Sequence, residues 1–315
     1  RLFLPMNLVS LLYILVVLDV VSALYFVNWG PFPLVVSELG APTAYLNVYV
    51  HVPAAIVLYI AAAAALILAV WGVWRGASER VVKWMDFSAY AVALLGWYAF
   101  ISGTIWAAES WGTPFALDPR QMSILVLALV FSIYPAIRRG VEDPDRSVKL
   151  AQVFVIAGFV LSVVSLVAPI VAQAFHPRPG STLTGTMGAY MGVRILLLTA
   201  LFFALFFSKA RGAGWLYVAG ALAAVLLMYP WFVHHPLRVV NVTQSTIVLE
   251  DGTALNAPPD SVLSPAFFNG TPTLPKNFVA VAGGGVFLVR HFSAYVNAAL
   301  YFAFMFILLK VRERL

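Results

Sequence analysis

Eight apolar stretches of membrane-spanning length constrain the fold of this chain more than any other feature. A helix that crosses the hydrocarbon core needs roughly 20 mainly apolar residues, and these stretches are apolar throughout rather than at every second position. The sequence therefore predicts an all-α polytopic membrane protein with about eight transmembrane helices, not a β-barrel. The stretches lie near 6–28, 46–74, 87–106, 121–137, 149–175, 189–208, 215–233 and 292–310.

The composition supports a lipid environment. Of 315 residues, 62% are hydrophobic and 10% are charged, whereas a soluble domain is about half apolar and about a quarter charged. The net charge of +6 is spread between the apolar runs, so we predict lipid rather than nucleic acid as the partner of the basic residues. The absence of cysteine excludes disulfides, Fe–S clusters and thiol-linked prosthetic groups held by this chain.

The placement of lysine and arginine predicts the orientation in the membrane. Loops facing the cytoplasm carry an excess of basic residues, and thirteen of the 19 lie on one side of the predicted spans. We therefore predict a multi-pass protein of the plasma or inner membrane with both termini in the cytoplasm. The thirteen are Arg1, Arg75, Arg80, Lys83, Arg138, Arg139, Arg146, Lys149, Lys209, Arg211, Lys310, Arg312 and Arg314.

The longest of the predicted extracytoplasmic segments differs from the others. Residues 238–256 alternate in polarity around Asp251 and Gly252, which is typical of a β-hairpin, and 277–290 form a second β-like run. We expect a small β-rich insertion between the last two spans. The predicted organisation is a six-helix core (1–208), a seventh helix (209–233), the β-rich cap (234–291), and an eighth helix with a cytoplasmic tail (292–315).

All five histidines fall at or beyond the predicted extracytoplasmic edge of the membrane. His51 is followed by Pro53, which suits the first turn of a helix, and His176 is followed directly by Pro177. Either histidine could simply lie at the interface and bind lipid or a backbone carbonyl. Two neutral imidazoles at one depth can also fill both axial positions of a haem iron. The remaining histidines are His234, His235 and His291, which could bind a metal or a second haem or stay unligated.

An aromatic loop between the third and fourth spans could contact such a planar ligand. Its aromatic residues could equally form an interfacial belt. The nearby arginines could bind the carboxylates of haem or anchor the protein among lipid phosphates. The candidate loop residues are Trp106, Trp111, Phe115, Asp118 and Arg120, and the candidate cations are Arg120, Arg178 and Arg194.

The order of these motifs resembles the CcmC family of haem-handling proteins over about residues 5–208. The resemblance rests on the sequence Tyr-Val-His-Val-Pro-Ala-Ala at 49–55, the tryptophan loop ending at 118–123, and the later histidine. It implies that His51 and His176 ligate haem and that the aromatic loop, called the WWD domain, contacts the haem edge. It further implies transient, non-covalent haem b, a CcmE-like acceptor, and ABC-type transporter subunits as partners in cytochrome c maturation.

The chain departs from the family pattern within the loop, where Phe115 and Leu117 stand at tryptophan positions. The related CcmF and CcsA proteins share the aromatic loop but carry further histidines within their spans. Since no histidine here lies within a predicted span, the comparison favours CcmC. We found no nucleotide-binding motif or catalytic triad, so the protein is interpreted as a haem-presenting protein without its own ATPase activity.

Two other functions remain open from the sequence. A membrane-bound b-type cytochrome subunit, transferring electrons from quinol, would use the same histidines but hold its haem permanently. A haem-free transporter would use Asp19, which lies within the first span, where an ionisable group is costly and often functional. We favour the alternative that Asp19 is a structural carboxyl group, hydrogen-bonded inside the helix bundle.

Overall fold

The computed structural model describes residues 7–31, 42–111, 113–115, 117–171, 185–209, 211–229, 237–242, 246–256, 278–282, 285–289 and 292–315. Within them, seven helical segments are long and apolar enough to cross a membrane. The protein is therefore a mainly helical, multi-pass membrane protein. The helices are α1 (Leu8–Trp29), a 3-10 helix (Pro42–Asn47), α2 (Val48–Arg75), α3 (Glu79–Trp111), α4 (Pro119–Phe131), α5 (Tyr134–Gly140), α6 (Pro144–Val171), α7 (Gly185–Phe207), α8 (Gly214–Leu226) and α9 (Phe292–Arg314).

The predicted seventh span is shorter than expected. Helix α8 has 13 residues, which at 1.5 Å per residue is about 20 Å long, against a hydrocarbon core of about 30 Å. The long spans of the described residues therefore number seven rather than the predicted eight. An apolar run extends from 215 to 233, but hydropathy alone does not show where the helix ends.

The fourth span is interrupted between α4 and α5. Pro135 has no N–H to donate to the carbonyl of Phe131, four residues earlier, and α4 ends at that residue. Ser132 helps to satisfy the main-chain carbonyls at this interruption, since its hydroxyl donates to the Ala128 carbonyl at 2.7 Å. It also accepts a hydrogen bond from the Trp97 indole at 2.9 Å. The turn is thus stabilised by side chains inside a single membrane crossing.

The described part of the segment between α8 and α9 contains short antiparallel strands. They are β1 (Leu237–Val242), β2 (Thr246–Leu249), β3 (Ala254–Asn256), β4 (Phe278–Ala282) and β5 (Gly285–Val289), in the sheet order β3-β2-β1-β4-β5. Val248 pairs with Ala254 across the turn that holds Gly252, whose φ of 84° lies in the left-handed region. The extracytoplasmic position of these strands stays a prediction.

Helix α2 lies at the centre of the bundle and packs against α3, α6 and α7. Its buried face carries many alanines, which allow neighbouring helices to approach closely. Apolar side chains on the outer faces, such as Ile67 of α2 and Leu196 of α7, are largely exposed, as expected for surfaces that contact lipid. The polar residues described below therefore lie within an otherwise apolar bundle.

The last helix, α9, packs against α8 and α3. Near its carboxyl end, the Arg312 guanidinium donates hydrogen bonds to the carbonyls of Leu205 and Phe206, at the end of α7. These carbonyls have no partner within their own helix, and a cation is favourable at a helix carboxyl terminus. Helix α9 therefore binds the carboxyl end of α7, about a hundred residues earlier in the chain.

Candidate functional site

His51 is the fourth residue of α2, as expected for a residue near a helix start. The prediction that Pro53 lies in the first turn is wrong, because α2 begins at Val48, directly after the 3-10 helix. Pro53 is therefore the sixth residue and cannot donate to the Tyr49 carbonyl. Arg194 of α7 replaces the missing donor, with Nε 3.2 Å from that carbonyl.

Helix α3 holds the imidazole of His51 from one side. Nδ1 of His51 and Oγ of Ser102 are 2.7 Å apart, and the ring lies edge-on to Trp106, with centroids separated by 5.6 Å. Gly103 allows this close approach, since a methyl group built there would lie 3.1 Å from Cε1 of His51. Ser102 therefore holds the imidazole through Nδ1, one of its two ring nitrogens.

A buried chain of neutral polar groups continues from Ser102. Asn297 of α9 donates through Nδ2 to the Ser102 carbonyl at 3.0 Å and to Oδ1 of Asn47 at 2.7 Å. Asn47, which ends the 3-10 helix, donates to Oγ of Ser293 at 2.8 Å. Ser102, Asn47, Asn297 and Ser293 are all buried, and hydrogen bonds link them in series, while Oδ1 of Asn297 has no partner within the described structure.

Glu109 joins the start of α9 to the end of α3. Its carboxylate accepts from the main-chain N–H of Ser293 at 3.1 Å and from the Ser293 hydroxyl at 2.8 Å. A carboxylate at a helix amino terminus is favourable because the first N–H groups have no partner within the helix. The contact fixes α9 at the end of the bundle where His51 lies.

Asp118 shapes the aromatic loop as the N-cap of α4. Its side chain, 1% exposed, accepts hydrogen bonds from the main-chain N–H groups of Arg120 at 2.9 Å and Gln121 at 3.4 Å. Pro119 follows at the first helical position, where its missing N–H costs nothing. Gln121 in turn donates to the Pro114 carbonyl at 2.8 Å, which ties the loop to α4.

The three aromatic residues predicted to contact haem have different surroundings in the structure. Phe115 is 42% exposed and lies edge-on to Phe100, while Trp106 is partly buried between His51 and Tyr45. Trp111 is the last residue of α3, and its side chain lies outside the described structure. His176, Arg178, His234, His235 and His291 also lie outside the described residues, so the pairing of His51 with His176 stays a prediction.

Several buried polar atoms of α3 and of the start of α4 have no hydrogen-bond partner within the described structure. They are Nε1 of Trp106, Oγ of Ser110 and Nε of Arg120. Trp106 and Ser110 are one turn apart on α3 and therefore share a face of the helix. A buried donor without a partner is costly, commonly about 1–3 kcal/mol, so these groups suit a ligand that carries acceptor oxygens.

Comparison with known proteins identifies the family. The family described as CcmC, heme exporter protein C, matches residues 4–212, which is more than half of the chain. The chain belongs to the CcmC family. The predicted resemblance is thereby confirmed, and residues 213–315, including α8, the strands and α9, lie outside the family match.

Individual relatives agree with this assignment. The heme exporter protein C of Rhodobacter capsulatus is 33% identical over 169 residues, covering 50% of this chain and 63% of that protein. The heme exporter protein C of Bradyrhizobium diazoefficiens is 34% identical over 97 residues, covering 28% of this chain and 37% of the relative. A cytochrome c biogenesis protein CcsA of Cuscuta reflexa is 34% identical over 59 residues, or 18% of this chain and 19% of that protein. Each alignment spans less than two thirds of the relative.

In this CcmC family member, Arg194 lies in the interior of the bundle rather than beside His51. Arg194 and Asp19 are both 0% exposed, with NH1 and Oδ1 2.5 Å apart. Tyr217 and Tyr301 donate to the other carboxylate oxygen, Oδ2, at 2.8 and 2.6 Å. The carboxyl group of Asp19 is thus hydrogen-bonded inside the bundle, as expected, and its structural role stays a prediction. The charge of Arg194 is therefore paired with that of Asp19 inside the bundle.

Sequence reasoning missed the residues that support His51 in this family member. Ser102 precedes Trp106 by one helical turn, so the spacing could have predicted that both side chains lie on the same face of α3. Asn47 and Asn297 stand in apolar surroundings, where an amide needs internal hydrogen bonds. Nothing local in the sequence, however, connects these two asparagines, which are 250 positions apart.

Proposed function

We propose that this protein handles haem for cytochrome c biogenesis, binding it reversibly at the extracytoplasmic face and passing it to an acceptor. Membership of the CcmC family supports this proposal, as do the names of the relatives, heme exporter protein C and cytochrome c biogenesis protein CcsA. Haem is here the cargo of the protein rather than a permanent cofactor. No residue in this proposal acts as a catalyst.

The main structural support is the setting of His51. Its Nδ1 is engaged by Ser102 at 2.7 Å, and its edge is approached by Trp106. Histidines that bind metals almost always have the second ring nitrogen hydrogen-bonded, which fixes the tautomer and the orientation of the ring. We therefore propose that Nε2 of His51 is one axial ligand of the haem iron. By sequence order and family resemblance, His176 would supply the other.

The unpartnered donors of α3 and α4 would fit the rest of a haem molecule. Haem carries two carboxylates on one edge, and these would accept hydrogen bonds from Nε1 of Trp106, Oγ of Ser110 and the Arg120 guanidinium. The exposed ring of Phe115 and the side chain of Trp111 would contact the apolar face. Arg178 would add a second cation. Asp118 would contribute indirectly, because it fixes the start of α4 and so the position of Arg120.

The charge distribution supports the proposed orientation. Basic residues concentrate on the side opposite His51, which by the positive-inside rule places both termini in the cytoplasm. His51 then lies on the extracytoplasmic side, where c-type cytochromes are assembled. The acceptor would be a CcmE-like haem chaperone, and the energy for release would come from ABC-type transporter subunits, since this chain has no nucleotide-binding motif.

Absorption spectroscopy tests the proposal directly. Purified protein, expressed with ample haem, should show a low-spin haem spectrum that sharpens on reduction with dithionite. The substitutions His51→Ala and His176→Ala should each remove most of the bound haem, because each removes one bond to iron. The matched control His234→Ala should retain wild-type haem content.

Two results would contradict the assignment. Wild-type protein that carries no haem under these conditions would refute the function, and haem loss caused by His234→Ala alone would refute the site. When a haem acceptor is added to the loaded protein, the haem should move to the acceptor. The haem absorption of this protein should then fall while that of the acceptor rises. A haem that stays bound despite excess acceptor would instead indicate a permanent cytochrome.

A further inference from the structure

Helix α9 lies outside the family match, yet it contacts the residues that support His51. Asn297 is fully buried, and its Nδ2 is within hydrogen-bond distance of two acceptors on different elements. One is the main-chain carbonyl of Ser102 on α3, and the other is Oδ1 of Asn47, immediately before α2. A single amide thus joins the two segments that determine the position of the His51 imidazole.

Each of these segments controls a different part of His51. Ser102 provides the hydroxyl that bonds Nδ1 and therefore sets the rotation of the ring. Asn47 ends the 3-10 helix that leads into α2 and therefore helps to set the backbone four residues later. Both N–H groups of the Asn297 amide are used in these bonds. An apolar side chain of similar size would remove the donor to Oδ1 of Asn47 and the additional donor to the Ser102 carbonyl, which lies within α3.

The position of Asn297 is itself fixed one turn earlier on α9. Ser293 binds the carboxylate of Glu109 through both its N–H and its hydroxyl, and it accepts a hydrogen bond from Asn47. Glu109 lies on α3, seven residues after Ser102. Helix α9 is therefore attached to α3 at two positions. Ser293 bonds Glu109, and one turn further along Asn297 bonds Ser102, the residue that contacts His51.

We propose that Asn297 is a positioning residue for His51, so that the carboxyl-terminal extension of this family member determines how the imidazole meets the iron. For its haem measurements this inference rests on the proposed function. Asn297 does not touch the ligand. It acts through Ser102 and Asn47, and its loss would loosen the hydrogen bond that orients the coordinating ring.

The test compares Asn297→Leu with Tyr301→Phe. Both substitutions remove buried hydrogen bonds from α9, but Tyr301 lies one turn further along and donates to Asp19. In the haem-loaded proteins, Asn297→Leu should increase the haem dissociation rate by about tenfold, the usual scale for groups that orient a metal-ligating histidine. It should also change the electron paramagnetic resonance g values of the haem that remains. Tyr301→Phe should leave both properties at wild-type values.

A second measurement does not depend on haem. The rate of His51 modification by diethyl pyrocarbonate, followed by peptide mass spectrometry in haem-free protein, should rise in Asn297→Leu and not in Tyr301→Phe. If Asn297→Leu is not recovered folded, Ser293→Ala should show the same changes to a smaller degree, because it removes the hydroxyl bonds to Glu109 and Asn47 one turn away and keeps the main-chain bond to Glu109.

The outcomes separate the inference from the proposed function. Wild-type protein without haem would refute the function, while an altered His51 modification rate in Asn297→Leu would still support the positioning role. Wild-type g values, haem dissociation and modification rate in Asn297→Leu would overturn the positioning role and leave haem binding intact. Equal changes in Tyr301→Phe would also overturn it, since they would show a general loosening of α9.

Discussion

The bundle contains two buried polar clusters that differ in charge and in exposure. The Asp19 cluster comprises Asp19, Arg194, Tyr217 and Tyr301, and the exposed fraction of each is 0%. The His51 cluster comprises His51, Ser102, Asn47, Asn297 and Ser293, and is built from neutral amides and hydroxyls around one histidine. Helix α9 contributes to both clusters, and His51 is the partly exposed member.

The difference shows how a structural ionisable residue is distinguished from a candidate ligand. A charge in the membrane interior needs an opposite charge and further hydrogen bonds, and the Asp19 cluster supplies both. Its carboxylate is surrounded by protein groups on every side that the structure describes. The His51 cluster holds the imidazole through the Ser102 hydroxyl and the edge of Trp106.

The largest effect is expected from Asp19→Leu, which leaves the Arg194 guanidinium buried without its counter-charge. Breaking a buried pair in this way costs about 3–5 kcal/mol. Denaturation in detergent, monitored by circular dichroism, should show this loss. The double substitution Asp19→Leu with Arg194→Met should recover most of it, because no buried charge remains. A double variant as unstable as the single one would show that the pair is not the source of the stability.

Ser102→Ala should have a smaller effect on stability and a specific effect on the proposed haem site. It removes one neutral hydrogen bond, worth about 1 kcal/mol, but it releases Nδ1 of His51. Haem affinity, measured by titration of haem-free protein, should fall about tenfold. Ser165→Ala is the matched control, since Ser165 is a buried serine that bonds Tyr59 at 2.6 Å. Equal loss of affinity in the control would count against a particular role for Ser102.

The smallest effect is expected from Gly103→Ala. The new methyl group would lie 3.1 Å from Cε1 of His51 and would displace the ring by a few tenths of an ångström. Haem affinity should fall by less than about tenfold, or less than about 1.4 kcal/mol. Gly96→Ala introduces a methyl group equally close to Ala128 of α4, away from His51, and should leave haem affinity unchanged. Unchanged affinity in both variants would show that the ring can shift without consequence.

The spans were predictable because lipid requires continuous apolar helices, and seven of the predicted eight agree with the described structure. The errors have local causes. The 215–233 run is apolar beyond the end of α8, and Pro53 lies deeper in its helix than expected, because a 3-10 helix precedes α2. The sequence gives no clear signal that a 3-10 helix leads directly into α2 at Val48.

The candidate site was predictable only in part. His51 and Trp106 were found from their motif, and the structure brings them together. The partners of His51 were missed, since Asn297 and Ser102 are 195 positions apart. Arg194 was interpreted as a cation of the extracytoplasmic edge from its place in the sequence, but its partner Asp19 precedes it by 175 positions. Such pairings depend on tertiary packing, which the local sequence does not encode.

The sequence distance between Asp19 and Tyr301 has a consequence for biosynthesis. The two residues are 282 positions apart, and a ribosome adds roughly 5–20 residues per second. Asp19 is therefore synthesised about 14–56 seconds before its last hydrogen-bond donor. During translation the nascent first helix must tolerate an incompletely satisfied carboxylate in lipid or beside an insertion factor. Residues outside the family match thus take part in the assembly of the family core, and the mature packing around Asp19 is reached only after Tyr301 has been synthesised.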